Sequence, residues 1–422
     1  MMLVMLTGAI AFYVAWNLGA NDVANSMGTS VGSGAISLRQ ALLVAGVLEL
    51  GGAVFFGRRV SATLTASVVN PDLFVDAVPV FSLGMVVVLL TCGVWLQVAT
   101  SLGLPVASSH ATVAAIAGFG WAVAGVAAVN WNLLGIISVT WVFTPLVSGA
   151  IAAVIYRLIQ RWILHNSQPI QVVAEWIPWL SVTVISVFGV IVLPSVISPL
   201  EPLGLPLPAH DIALSIGAIA TLSLTLWTMR SWVHLTNQQL INQPLPPAAN
   251  ELVERIMARF QIVSACFVAF AHGSNDVGNA IAPLAAIATI ERTGVIPTGE
   301  ADIPLWVLVL GGLGIVGGLA AWGKNVIATI GEGIIALQPS GGFCAELATA
   351  TTILLASRAG LPVSTSHALV GAVVGVGLVQ GMEKVQLKTV QRIALAWLGT
   401  VPLCAGLSAS LVRSSLWLLQ MT

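Results

Sequence analysis

Two short stretches of the chain place a carboxylate among amide side chains inside otherwise apolar sequence. Residues 17–26 read NLGANDVANS, and residues 271–280 read AHGSNDVGNA. Both contain Asn-Asp and then a second Asn three positions after the Asp. The polar residues repeated in this way are Asn21, Asp22, Asn25, Asn275, Asp276 and Asn279.

Two carboxylates in so apolar a chain need a compensating partner, because a charge in the bilayer costs about 3 kcal/mol or more. The nearest basic residue along the sequence is Arg39 for Asp22 and Arg292 for Asp276. Carboxylate, amide and backbone oxygens suit Na⁺, and a proton on the carboxylate is the alternative. The duplication favours such a cation-coupling site over a hydrogen-bonded clamp between helices. The candidate Na⁺ ligands are Asp22, Asn25, Asp276 and Asn279, while Asn21 and Asn275 are candidates for the coupling site in general.

A second pair of motifs joins hydroxyl side chains to a proline, in LPVASSH at 104–110 and LPVSTSH at 361–367. We expect Pro105 and Pro362 to begin or break a helix, since proline suits the first helical turn. The hydroxyls and free N–H groups of a helix N-terminus attract an anion, helped by the positive end of the dipole. The residues predicted to bind a small tetrahedral anion are Ser108, Ser109, Thr365 and Ser366.

The carboxylates and the anion belong to one site only if something cancels their repulsion. Bound cations, or protons on Asp22 and Asp276, would do so. The anion would then bind well only with the cation present, which is reciprocal linkage and makes transport cation-coupled.

Other polar residues are less informative. His110, His272 and His367 are read as structural groups, and no metal site is expected around them because no Cys or carboxylate stands at ligand spacing. Glu346 has no acidic counterpart in the first half, where the equivalent residue is Leu89. It either supports the site or lies near a membrane boundary.

Composition shows which solvent surrounds the chain. Of 422 residues, 57% are hydrophobic and only 7% are charged, whereas a soluble domain carries about 25% charged residues. The lipid bilayer is therefore the solvent, and we expect a multi-pass protein of the cell membrane. The net charge of −1 gives no basic footprint, so nucleic acid is not an expected partner.

Apolar runs predict an all-α fold with about twelve transmembrane segments, some of them broken or re-entrant, as around the two prolines. The polar, proline-containing stretch 233–255 is predicted to be a linker between a first half at 1–232, which has extra membrane segments, and a second half at 256–422.

The two halves repeat in order. Asp22 recurs as Asp276 after 254 positions, the hydroxyl motif recurs after 257, and GRRVSATL at 57–64 resembles GKNVIATI at 323–330 after 266. Such internal duplication is typical of secondary transporters, whose sites form between the repeats from discontinuous helices.

These motifs resemble the inorganic phosphate transporter family, the sodium- or proton-coupled phosphate permeases. The similarity covers nearly the whole chain and is carried by GANDVANSMGTSVGSGAIS at 19–37, AHGSNDVGNAIAPLAAI at 271–287, and the segment 342–377 with its upstream Glu346. The resemblance implies two inverted repeats, a homodimer, and symport of inorganic phosphate with Na⁺ or H⁺. It also implies that the repeated Asp and Asn residues bind cation or substrate, and that the four hydroxyl residues bind phosphate.

The hydroxyl motif departs from the family pattern at Ala107, where the second half has Ser364. The anion site is therefore open to sulfate as the alternative substrate, since some family members resemble sulfate permeases. A passive anion channel and an intramembrane hydrolase using Ser109 or Ser366 are less favoured. Adjacent Ser and His do not make a nucleophile and base, and a duplicated motif does not suit one active centre, so we do not expect an enzyme.

Overall fold

The chain folds almost entirely into helices. The structure, a computed structural model, describes residues 1–103, 106–197, 209–241, 249–298, 302–330 and 334–420. An isolated bridge between Val69 and Val129 is the only β pairing in these residues. The thirteen α-helices are α1 (Met2–Gly32), α2 (Leu38–Phe56), α3 (Arg58–Ala66), α4 (Val78–Ser101), α5 (Ser108–Ala124), α6 (Trp131–Ile159), α7 (Pro169–Ile197), α8 (Ala209–Ile241), α9 (Ala249–Thr293), α10 (Leu305–Ile330), α11 (Pro339–Arg358), α12 (Thr365–Gln380) and α13 (Leu387–Gln420).

The prediction of an all-α polytopic membrane protein is confirmed. Within the described residues, nine helical spans are long and apolar enough to cross a membrane, and α12 is a shorter apolar helix. Large apolar side chains remain exposed along the helices, as with Leu398 at 73% and Ile219 at 66%. In water such exposure would be costly, whereas in hydrocarbon it is the expected outer surface.

The repeated hydroxyl motifs open equivalent short helices. α5 begins at Ser108 and ends before Gly125, while α12 begins at Thr365 and ends before Gly381. Both glycines have positive φ, 79° and 129°, which side-chain-bearing residues adopt at a cost. The halves therefore share the start and the stop of this element.

Helices pack reciprocally between the halves. The first helix of one half packs on the second helix of the other, because α1 contacts α10 and α9 contacts α2. In the same way α5 contacts α13 and α12 contacts α6. This exchange of equivalent partners is what a two-fold relation between the repeats requires.

Glycines make the reciprocal packing close. A Cβ at Gly19 would overlap the carbonyl of Ile315, and a Cβ at Gly273 would overlap the carbonyl of Glu49. Gly273 follows Gly19 by 254 positions, and Ile315 follows Glu49 by 266, which are the offsets of the sequence repeat. The same small-residue contact is thus built twice, as membrane helix pairs often require.

Two helical hairpins enter the molecule from opposite ends. α4 runs alongside α1 in the same direction, since Tyr13 bonds to Gln97 and Asn21 bonds to Thr100. α11 likewise runs alongside α9, since Glu254 bonds to Ser340 and Asn275 bonds to Ser357. α1 and α9 run in opposite directions: Asp22 lies near His272, while Thr29, later in α1, shares the Glu346 carboxylate with Gln261, earlier in α9. The hairpins α4–α5 and α11–α12 are therefore inverted with respect to each other.

The polar stretch 233–255 is helical where the structure describes it. Residues 233–241 belong to α8, and residues 249–255 begin α9. Residues 242–248 lie outside the described part, as does Pro105. The division into halves at 1–232 and 256–422 stays a prediction.

Candidate functional site

The two repeated aspartates meet at the centre of the bundle. Nε2 of His272 lies 3.1 Å from Oδ2 of Asp276 and 4.0 Å from Oδ2 of Asp22. One ligand atom from each of these three side chains fits within a group 4.8 Å across. All three side chains are almost completely buried. The structure thus brings together carboxylates that are 254 residues apart in the sequence.

His272 also contacts a third carboxylate, which corrects the expectation that no carboxylate lies at ligand spacing with a histidine. Its Nδ1 lies 3.1 Å from Oε1 of Glu49, and Ser26 donates a 2.9 Å hydrogen bond to the same oxygen. Asp276 stands four residues after His272 on α9, and residues so spaced share a helix face. That spacing was a usable sequence signal, whereas the contact with Glu49 depends on the packing of α2.

This histidine–glutamate pair breaks the two-fold symmetry. The positions equivalent to His272 and Glu49 carry Leu18 and Ile315. One side of the aspartate pair is therefore polar and titratable, and the equivalent side is apolar.

The second asparagine of each motif donates a hydrogen bond within the site. Asn25 donates a 2.9 Å hydrogen bond to Oδ1 of Asp22. Asn279 donates to the Ser108 hydroxyl over 3.3 Å and so connects α9 to the N-terminus of α5. Both amides are buried. Asn25 bonds within its own motif, whereas Asn279 links the second carboxylate motif to the first hydroxyl motif.

The first asparagine of each motif holds a hairpin in place. Asn21 donates to the hydroxyl of Thr100 and Asn275 donates to the hydroxyl of Ser357, each over 2.9 Å. Ser357 follows Thr100 by the 257 positions of the hairpin repeat. Asn275 also bonds to the carbonyl of Leu361 at the second hairpin tip. These two residues thus join α1 and α9 to the hairpins.

The hydroxyl residues lie where the sequence placed them, at two buried helix N-termini. Thr365 donates a 2.9 Å hydrogen bond to Oδ2 of Asp276. Ser364 accepts from the backbone N–H of His367 and lies 2.9 Å from the Ser366 hydroxyl. In the first half Ala107 precedes α5 without a side-chain cap. The buried Ser109 hydroxyl has no hydrogen-bond partner in the described residues.

Pro362 does not occupy the first turn of α12, as the sequence suggested, because the helix begins three residues later at Thr365. Its carbonyl instead accepts a hydrogen bond from the indole of Trp141. The proline therefore belongs to the tip of the hairpin, and Ser364 supplies the cap.

The histidines of the hydroxyl motifs form a separate, symmetric cluster. The rings of His110 and His367 lie 4.6 Å apart, centre to centre. Nδ1 of His110 lies 3.4 Å from the carbonyl of Trp397, and Nδ1 of His367 lies 3.0 Å from that of Trp141. The reading of these two histidines as structural groups is consistent with this role as a contact between α5 and α12.

Glu346 lies in the interior of the protein. Its carboxylate accepts short hydrogen bonds from residues of α1 and α9, and it is fully buried. The donors are Thr29, Ser30, Gln261 and Ser264. It therefore ties the first signature motif to the second half.

The centre offers oxygens with free acceptor capacity. Buried oxygens without a hydrogen-bond partner in the described residues include Oδ1 of Asp276, Oδ1 of Asn279 and Oδ2 of Asp22. Among the described side chains, no Lys or Arg pairs with either aspartate. Hard oxygen acceptors grouped without a basic residue suit a hard cation, and the adjoining helix N-termini suit an anion.

Comparison with known proteins agrees with this geometry. The model of the phosphate transporter family matches residues 18–408. A putative phosphate permease of Chlamydia trachomatis is 40% identical over 94% of each chain. One from Pyrococcus abyssi is 36% identical over 98% of each chain. The chloroplastic inorganic phosphate transporter 2-1 of Arabidopsis thaliana is 39% identical over 94% of this chain and 69% of its own length.

A solved structure described as the sodium-dependent phosphate transporter superposes with a TM-score of 0.86. It is 36% identical to this chain, and the match covers 100% of both. The matches extend across both repeated halves and include every motif of the buried centre. The chain therefore belongs to the phosphate transporter family, a family of multi-pass integral membrane transporters and not of enzymes.

Proposed function

We propose that this protein imports inorganic phosphate by symport with Na⁺. The observation that carries the proposal is the meeting of Asp22 and Asp276 beside two hydroxyl-bearing helix N-termini. Carboxylates so close to an anion site repel the anion unless cations accompany it, and coupled binding follows from that requirement.

The cation ligands in this proposal are the repeated acidic and amide side chains. Asp22 and Asp276 supply charge, and Asn25 and Asn279 supply amide oxygens once their side chains rotate toward the ion. Oxygen ligands of this kind suit Na⁺. The sodium-dependent solved relative supports Na⁺ over H⁺ as the coupling ion. Proton coupling remains the alternative, with His272 and its three carboxylate neighbours as the groups that would carry the proton.

The anion ligands in this proposal are Ser108, Ser109, Thr365 and Ser366, together with the free N–H groups that begin α5 and α12. A helix N-terminus binds a tetrahedral anion without a basic side chain. Asn279 already donates to Ser108, and Thr365 already donates to Asp276. The anion and cation ligands therefore share hydrogen bonds, which supports coupling between them.

Phosphate is favoured over sulfate on chemical grounds. Near neutral pH, phosphate keeps at least one proton that an acceptor oxygen can bind, whereas sulfate has none. The unpartnered Oδ1 of Asp276 supports that preference, provided that it accepts from phosphate and does not bind the cation alone. Phosphate permeases among the relatives support the same choice. Ala107 removes one hydroxyl from the first half, and sulfate stays the alternative substrate.

We infer the orientation from the basic residues at the two ends of the bundle. One end, here the Met1 end, contains the amino group of Met1 beside Glu291, Arg58 beside Asp302, and the adjacent residues Arg59 and Arg292. The opposite end, here the Arg255 end, contains more basic residues. The residues at the Arg255 end are Arg39, Arg157, Arg161, Arg255, Arg259, Lys384, Lys388 and Arg392. The positive-inside rule assigns this end to the cytoplasm and the Met1 end to the outside.

Uptake into proteoliposomes tests the proposal. Labelled phosphate and labelled sulfate are each offered with an inward Na⁺ gradient, an inward H⁺ gradient, or no gradient. Accumulation of phosphate above equilibrium with the Na⁺ gradient alone is the expected result. Accumulation with the H⁺ gradient alone would identify H⁺ instead of Na⁺ as the coupling ion. Preferential uptake of sulfate would identify sulfate instead of phosphate as the substrate.

Uptake that merely equilibrates without dependence on either gradient would identify a passive channel. Uptake does not report on the predicted homodimer or on the division into two repeat halves. Cross-linking in native membranes tests the dimer, since a monomer gives no band of doubled mass.

A further inference from the structure

Two exposed arginines lie together at the tip of the second hairpin. Arg59 is the second residue of α3, and Arg358 is the last residue of α11. Nη1 of Arg59 donates a 2.6 Å hydrogen bond to the backbone carbonyl of Arg358. Nη1 of Arg358 donates to the carbonyl of Val190 on α7 over 3.3 Å. Backbone carbonyls of two helices thus hold both guanidinium groups in place.

Asn275 connects the segment that carries Arg358 to the candidate site. Asn275 donates hydrogen bonds to the hydroxyl of Ser357, immediately before Arg358, and to the carbonyl of Leu361, three residues after Arg358. Asn275 adjoins Asp276 in α9. The pair therefore marks the rim of the site, one residue along the chain from a direct partner of the Asn-Asp motif.

Within the described residues, no carboxylate forms an ion pair with Arg59 or Arg358, whereas the neighbouring Arg58 lies 3.7 Å from Asp302. A guanidinium carries five N–H donors in a planar fork that matches the oxygens of a phosphate. The hydrogen bonds to the carbonyls of Arg358 and Val190 use one amine of each fork, and both arginine side chains are exposed.

The arginine pair has no equivalent in the other half. The positions related by the repeat carry Ser101 for Arg358 and Asn325 for Arg59. Ser101 donates to the carbonyl of Val98 in its own helix. The repeated fold therefore does not require these charges, and they occur at only one of the two hairpin tips.

We propose that Arg59 and Arg358 form an anion-capture site for an inorganic oxyanion at the outer mouth of the transporter. The site draws phosphate from solution to the second hairpin tip before the hydroxyl-bearing helix N-termini bind it. This inference rests on the proposed transport of phosphate and on the outward orientation of the Met1 end, where Arg58, next to Arg59, lies 3.7 Å from Asp302. Fixed positive charge at the mouth of a low-dielectric cleft raises the local anion concentration and the association rate, and salt screens the effect.

The test measures phosphate uptake from the outside of right-side-out membrane vesicles. Na⁺ is held constant, and ionic strength is varied with an impermeant salt from about 10 mM to about 0.5 M, which shortens the screening length from roughly 30 Å to below 10 Å. The variants are Arg59→Gln, Arg358→Gln and the pair together. We expect the double variant to raise the KM for phosphate about fivefold at low salt with little change in maximal rate.

The wild-type KM should rise with salt and approach that of the double variant, whose KM should be nearly insensitive to salt. Arg59→Lys keeps the charge without the guanidinium fork and should retain most of the low KM. Arg413→Gln is the matched control, because Arg413 is also exposed and donates to a backbone carbonyl, that of Ala122, away from this hairpin tip. Its KM should stay at the wild-type value.

Three outcomes would overturn the capture site. These are an unchanged KM in the double variant at low salt, a loss of maximal rate that Arg59→Lys fails to rescue, and an equal rise in KM for Arg413→Gln. An unchanged KM in the double variant, or an equal rise in KM for Arg413→Gln, would exclude the electrostatic role. A loss of maximal rate that Arg59→Lys does not rescue would show that Arg59 only supports the end of α11. Gradient-driven uptake by the wild type in the same vesicles checks the proposed symport independently.

Discussion

The hydroxyl of Thr365 donates a 2.9 Å hydrogen bond to Oδ2 of Asp276 and so joins the two repeated motifs of the second half. Oδ2 of the same carboxylate lies 3.1 Å from Nε2 of His272. One carboxylate oxygen therefore contacts both Thr365, at the N-terminus of α12, and His272 on α9. A change of charge at Asp276 therefore changes anion binding at the hydroxyl motif, and this dependence is what couples the two ions.

Removing the Thr365 hydroxyl should uncouple these motifs. Thr365→Val keeps the shape of the side chain but leaves the Asp276 oxygen without its donor. We expect phosphate uptake to fall at least about tenfold, the equivalent of roughly 1.4 kcal/mol, and Thr365→Ser to retain most activity. Thr352→Val is the control, since the Thr352 hydroxyl donates to the carbonyl of Ala348 in its own helix. Equal activity of Thr365→Val and the control would contradict this role.

Neutralising either central aspartate should weaken cation dependence. Asp22→Asn and Asp276→Asn keep the size of the side chain and remove its charge, so each should raise the Na⁺ concentration needed for half-maximal uptake by about tenfold or more. Phosphate uptake titrated against Na⁺ gives this value. Asp76→Asn, at an exposed position, should behave as wild type. Unchanged Na⁺ titration in both central variants would remove the aspartates from the proposed cation site.

A methyl group at either central glycine should prevent close packing of the helices. Gly19→Ala would press on the carbonyl of Ile315, and Gly273→Ala would press on the carbonyl of Glu49. Overpacking of this kind costs about 1–3 kcal/mol, so both variants should lower the Tm of the purified protein. Gly135→Ala adds its methyl where nothing lies within 4 Å and should leave the Tm unchanged. Normal melting of Gly19→Ala would show that the backbones can separate at no cost.

The missing cap of α5 can be restored. Ala107 occupies the N-cap position without a side-chain hydrogen bond, whereas Ser364 caps α12. Ala107→Ser should stabilise the protein by about 1 kcal/mol, and Ser364→Ala should destabilise it by a similar amount. Thermal unfolding of both variants in the same detergent measures the two shifts. Shifts of the same sign would show that the two N-termini are not equivalent.

Glu346 should matter for stability because of its donors. Glu346→Leu introduces the residue found at the equivalent position, Leu89, and leaves buried hydroxyl and amide groups unsatisfied. Each such group costs about 1–3 kcal/mol, so a large fall in Tm is expected. Glu346→Gln, which keeps an acceptor oxygen, should fall less, and Glu383→Leu on the exposed surface should change little. A Tm of Glu346→Leu equal to wild type would contradict the hydrogen-bond network.

The sequence predicted the elements and the residues that repeat. Apolar runs marked the helices, and the duplicated motifs placed Asp22, Asp276, Ser108 and Thr365 in the buried interior, where the structure finds them. Duplication was informative because two copies at equal spacing must meet similar partners in an inverted pair of repeats.

Contacts that occur in only one half were not predicted from the sequence. Glu49 contacts His272 only because α2 of one half packs on α9 of the other, and no periodicity or repeat marks that contact. The start of α12 at Thr365 instead of near Pro362 was decided by the Ser364 cap. The Arg59 contact with Arg358 likewise depends on how the short helix α3 meets a distant hairpin.

The reciprocal packing of α1 on α10 and of α9 on α2 also governs how the chain is made. When α1 has entered the bilayer, the helix that fits its glycine face has yet to be synthesised. The first half must wait in the membrane with this face covered by lipid or by an insertion factor. Assembly then completes late, when α10 arrives, and a nascent chain interrupted before that point has no partner for Gly19.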